Sequence, residues 1–170
     1  MSQGNMLITI IAFMFLTTIL LNFYRLLADN GDTIANSQDG ILETTLATSY
    51  LEVAAGLAFD SNTDTSDVAI RNPSALSATL GRESGGEDSI YDFNDFDDFN
   101  NFSMVEQPNG TTRQYKTAFT VSYVNPANAE VVSGSQTFVK RMDLKTWRVS
   151  PPGRTDTLRL SMVMGYFHFD

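Results

Sequence analysis

The 170-residue sequence has no cysteine, one histidine and one tryptophan, and only 18% of its residues are charged. The absence of cysteine excludes disulfides, thiolate metal sites and cysteine nucleophiles together. An exported domain without disulfides must rely on a good core or on assembly, so the absence does not argue for the cytoplasm. The lone His168 has no Asp or Ser at motif spacing, and catalysis needs convergent partners. G-x-S-x-G, P-loop, dinucleotide and H-E-x-x-H patterns are all missing, so no catalytic centre and no cofactor are expected. Positive charge is also scarce: eleven Lys and Arg face twenty Asp and Glu, a net charge of −9. Nucleic acid is therefore not an expected partner.

The charge that is present is segregated. Residues 60–110 hold eleven acids against Arg71 and Arg82, whereas residues 111–170 hold eight bases against four acids. The two regions can attract one another within one subunit or between neighbours.

Hydrophobic residues make up 42% of the chain and concentrate at its start. Residues 6–27, MLITIIAFMFLTTILLNFYRLL, hold one charge, Arg25, and neither Pro nor Gly. A bilayer core takes about 20 apolar residues as helix. The run is longer than a signal-peptide core, and Phe23-Tyr24-Arg25 stands near its end where a small-residue cleavage site would be. A retained anchor is expected. After a polar patch at 28–32 the pattern becomes amphipathic, with Leu42, Leu46, Val53 and Leu57 on one face, ending in the breaker cluster 59–62. A helix over 5–59 would measure roughly 80 Å at 1.5 Å per residue. Its apolar half then needs lipid or other copies of itself as cover.

Residues 60–112 are dense in Asp, Asn, Ser and Gly and read as a long acidic loop, with a short helix or turn at Pro73–Leu76. Within it Phe93, Phe96, Phe99 and Phe102 recur every three residues, with Asp and Asn between them. The rings are expected to dock while the oxygens face water or a cation. Asp92, Asp95, Asp97 and Asp98 are candidate ligands for a structural Ca2+, because hard oxygens at this density suit calcium. The alternative is a solvated acidic loop pinned by its phenylalanines.

From Arg113 the period changes to two. Tyr115, Thr117, Phe119, Val121 and Tyr123 form one face of a strand, and Asn125–Asn128 form a turn. A second strand region is expected over 131–149, with Phe138, Met142 and Leu144 on one face that Lys140 interrupts. A last strand runs over 157–169. Short connections imply an antiparallel meander whose apolar face is covered by the second half of the helix. Trp147 is expected to serve packing. The fold class is α+β: a long N-terminal helix, apolar then amphipathic, on a small antiparallel sheet. The expected division is a hydrophobic helix at 1–33 and a head at 34–170, comprising helix 34–59, acidic loop 60–112 and sheet 113–170.

This order of features resembles type IV pilins and the pseudopilins of type II secretion. Gly4-Asn5-Met6-Leu7-Ile8-Thr9-Ile10 is similar to the prepilin cleavage and methylation motif, in which Gly precedes the cut. Residues 46–60, the Phe93–Phe102 segment, the run 138–144 and the closing LSMVMGYFHF are similar to later parts of that family. Thr9 stands where the family normally carries Glu. The resemblance implies processing between Gly4 and Asn5, and a structural subunit of an extracellular filament. Its core would be Met6, Leu7, Ile8, Ile10, Ile11, Phe13, Phe15, Leu16, Leu20 and Leu21, with Thr9 and Asn22 bonding between helices. The implied partners are further copies of the chain, the inner membrane before assembly and the pilus assembly machinery. The implied location is the cell surface. A minor pilin or secretion pseudopilin is the first alternative, and a monomeric membrane-tethered binding module that uses calcium is the second.

Overall fold

The computed structural model describes residues 3–64, 69–83, 86–152 and 156–167. A helix, α1 (Gln3–Ala55), is followed by a short helix, α2 (Ser61–Asp64), and five antiparallel strands. The strands are β1 (Ser103–Glu106), β2 (Gln114–Asn125), β3 (Asn128–Val132), β4 (Val139–Ser150) and β5 (Leu158–Gly165). The fold is thus α+β, and the chain forms two compact units, Met1–Gly40 and Ile41–Asp170.

In the first unit no proline interrupts the helix, and the hydroxyls of Thr9, Thr17 and Thr18 donate to the carbonyls four residues earlier, at 2.8–2.9 Å. Such back-bonding satisfies a hydroxyl without a partner from outside.

In the second unit the sheet order is β1-β2-β4-β5, with β3 pairing the end of β2. Tyr115, Thr117, Phe119, Val121 and Tyr123 are all buried, as the alternation in the sequence predicts. Opposite them stand Leu144 against Phe119, Met142 against Val121 and Lys140 against Tyr123. The expected strand over 131–149 is two strands, because β3 turns back on β2 and a connection intervenes before β4. The last strand is shorter than expected, at Leu158–Gly165, and residues 168–170, with His168, lie outside the described residues. Strand β1 lies within the segment expected to be loop. Trp147 is half-buried, with the Lys116 ammonium 5.9 Å from its ring centroid.

The end of α1 covers the sheet with small residues. Ala47, Tyr50 and Ala54 are buried against Phe119, Val121, Met142 and Leu144, with Leu46, Leu51 and Leu57 flanking. The expected stripe is therefore rotated in part: Leu46 and Leu57 do pack on the core, but Val53 is exposed, and Ala47 and Ala54 face inward in its place. Small side chains let the helix backbone approach the sheet closely, and hydrophobicity alone does not reveal that preference. The helix also ends earlier than expected. After Gly56 the chain leaves it so that Ala58 can bridge to Asp95; Ala58 N–H donates to Asn94 O at 3.3 Å, and Phe96 N–H to Ala58 O at 2.9 Å.

Candidate functional site

Two features carry chemistry, one in each unit. In the first unit every residue from Met6 to Leu27 is exposed, the large apolar side chains from 47% at Leu20 to 69% at Phe13 and Phe15. This helix is long and apolar enough to cross a membrane.

The second feature is the acidic segment. Phe96–Phe99 is a single 3-10 turn whose cap is made of aspartates. Asp95 Oδ1 accepts from the backbone N–H of Asp97 and Asp98, at 2.8 and 3.2 Å. Asp98 Oδ2 accepts in return from the N–H of Asn94 and Asp95, at 2.9 and 3.1 Å. This reciprocal box satisfies donors that the first turn of a helix leaves open. The rings hold the turn in place. Phe93 meets Phe99 and Phe102 edge-on at centroid distances of 5.0 and 5.1 Å, and Phe99 lies 5.1 Å from Phe119 of β2. Asn100 ties the turn to the sheet. Its Oδ1 accepts from Val121 N–H, and its Nδ2 donates to Leu80 O, both at 3.0 Å.

Docking of the rings carries three aspartates inside with them: Asp95, Asp97 and Asp98 have no exposed surface. Lys140 answers part of that charge. Fully buried itself, it bonds Asp60 Oδ2 at 2.8 Å, Asp97 Oδ1, and the Phe59 carbonyl at 2.7 Å. Its ammonium also lies 4.6 Å from the Phe59 ring centroid and 5.2 Å from that of Tyr123. Asp60 is richly solvated by protein: Ser77 donates through N–H and hydroxyl, Asn62 through N–H, and the Tyr123 hydroxyl lies 3.0 Å away. Burial pushes the Asp60 carboxyl up, but Lys140, Ser77 and Asn62 outweigh it and hold the group below its usual range. For Asp97 burial wins over Lys140 and the carboxyl is raised. Gly81, at φ +125°, brings its N–H to Asp97 Oδ2 at 3.3 Å. Asp95 is pushed up to about 8 by burial and then by the charges of Asp97 and Asp98.

The four sequence candidates are thus divided among three environments. Asp92 is exposed, Asp97 pairs with Lys140, and Asp95 and Asp98 form the capping box. A carboxylate oxygen from each of Asp95 and Asp98 lies within 4.8 Å of one from Glu83, which the spacing of aspartates did not single out. Sequence reasoning also missed Asp60 and the role of Lys140. The signal for Lys140 was present: a lysine at inward parity on a strand requires a buried carboxylate, because lysine is almost never fully buried unpaired. Asp60 lies in the breaker cluster after the helix and carried no comparable signal.

No family model, curated protein or solved structure matches this chain. The long N-terminal apolar helix with an antiparallel sheet fits a pilin-like architecture.

Proposed function

We propose that this chain is a non-enzymatic structural subunit of an extracellular, type IV pilus-like filament that polymerises through its N-terminal helix. One observation carries the reading: the helix from Met6 to Leu27 exposes all of its large apolar side chains. Burying such a side chain is worth about 1.5–3 kcal/mol. Summed over sixteen of them, from Met6 to Leu27, the total is tens of kcal/mol. The net stability of a domain is only about 5–15 kcal/mol, so water is not a tenable surrounding for this surface. Lipid encloses it in the monomer, and sister helices enclose it in the polymer. Repetition of one heterologous contact that does not close gives a helical fibre. The internally bonded threonines suit both surroundings, since neither offers water to a free hydroxyl. Gly4–Asn5 is the proposed processing site, and the unit 41–170 is the part displayed at the cell surface.

Negative-stain microscopy of material sheared from cells, with mass spectrometry of the subunit's N-terminus, tests the proposal. Thin filaments containing this chain are expected, and Phe13→Asp should abolish them while the chain remains in the membrane fraction. A wild-type chain recovered as a detergent-free, water-soluble monomer would contradict the reading.

A further inference from the structure

Asp95 and Asp98 each commit one carboxylate oxygen to the capping box, which fixes both groups in place. The other oxygen of each, Asp95 Oδ2 and Asp98 Oδ1, is buried and has no hydrogen-bond partner among the described residues. Both side chains are fully buried. A buried acceptor without a donor is unfavourable, and an ionised one more so. The buried Lys140 pairs with Asp60 and Asp97 instead. Arg82 is placed over the Phe102 ring, 5.4 Å from its centroid, with Nη1 3.4 Å from the Glu87 carbonyl oxygen. What stands beside the two aspartates is more acid: Glu83, with one oxygen from each of the three within 4.8 Å of the others, and Glu87, whose carboxyl acts on Asp98 and accepts from the Glu83 N–H at 2.8 Å. Glu83 is exposed, so the cluster has a way in from solvent.

We propose that Glu83, Asp95 and Asp98 form a binding site for a divalent, oxygen-seeking cation of the calcium kind, which fastens the loop at Glu83 to the 3-10 turn. Calcium takes oxygen ligands at about 2.3–2.6 Å, so oxygens on opposite sides of the ion stand up to about 5 Å apart, as this cluster allows. The ligands are carboxylates, with neither histidine nor cysteine among them, which disfavours zinc and copper. Water on the open side completes the six to eight ligands that calcium takes. The site differs from the Asp92, Asp95, Asp97, Asp98 set suggested by the sequence. It lies within residues 41–170 and stands whether or not the chain polymerises.

The test is calorimetric titration of calcium chloride into the full chain, purified in detergent, stripped with EGTA and held at about 0.15 M salt to screen diffuse surface charge. Saturable binding of one ion per chain is expected, with a rise in unfolding temperature on adding calcium. Glu83→Gln should weaken binding at least about tenfold and leave the unfolding temperature in EGTA unchanged, because the capping box does not use the Glu83 side chain. Asp92→Asn, which removes an exposed charge outside the cluster, should bind as wild type does. Absence of saturation in the millimolar range, or equal weakening by Glu83→Gln and Asp92→Asn, would overturn the assignment.

Discussion

A lysine with no exposed surface needs carboxylates beside it, and Lys140 meets two. Removing one member of a buried ion pair leaves the rest uncompensated, at a cost of about 3–5 kcal/mol. Lys140→Met is therefore expected to destabilise the full chain by about that amount in denaturant titrations. Adding Asp60→Asn and Asp97→Asn should recover part of the loss, because the stranded charges go with their partner. The Asp60 carboxyl is held below its ordinary value of 3.8. Its contribution is therefore fully present above that ordinary value and is lost as the pH falls through the lowered one. The stability difference between wild type and Asp60→Asn should stay constant above about pH 5 and shrink below about pH 4. Unfolding curves collected across that range check the sign. Asp95 behaves differently. With EGTA present, Asp95→Asn keeps an oxygen for the cap and removes a carboxyl whose ionisation is opposed by burial and then by Asp97 and Asp98. It should be neutral or stabilising, whereas Asp95→Ala loses the cap and should cost about 0.5–2 kcal/mol.

At the scale of elements, the contact between α1 and the sheet depends on residues too small to register as hydrophobic anchors. Ala47 and Ala54 have no exposed surface. Ala54→Leu is expected to overpack this contact and cost about 1–3 kcal/mol, read as a lowered unfolding temperature, while Val53→Ala, at an exposed position, should change little. The same contact shows what a sequence conveys. Strand β2 was legible residue by residue, since one face is buried and the other wet, and a period of two leaves a single register. The helix was legible as an element and its inward face in part: Leu46 and Leu57 pack on the core, but Ala47 and Ala54 carry no hydrophobic signal strong enough to displace Val53 from the expected stripe. The acidic segment was legible as a repeat of phenylalanines that docks. Its consequence was not: in a turn this tight, a ring pulled inward takes the neighbouring aspartates with it. Asp95 and Asp98 of the candidate cation site lay among the sequence candidates. Glu83 did not, since a separate loop delivers it and no spacing in the chain records that meeting.

At the scale of the whole molecule, the account rests on the first helix. Residues 6–27 present apolar surface on every side, and among the described residues none of it is covered. A soluble helix buries its apolar stripe, and a helix apolar all round is buried entirely, in lipid or in protein. The most direct measurement is photocrosslinking in living cells through a benzophenone amino acid introduced at Phe13. If the helix packs against its own kind, irradiation should give a ladder of covalent multimers composed of this chain alone, and the ladder should vanish when assembly is blocked. Crosslinks confined to lipid, or to a single unrelated protein, with no multimer under any condition of assembly, would contradict the account.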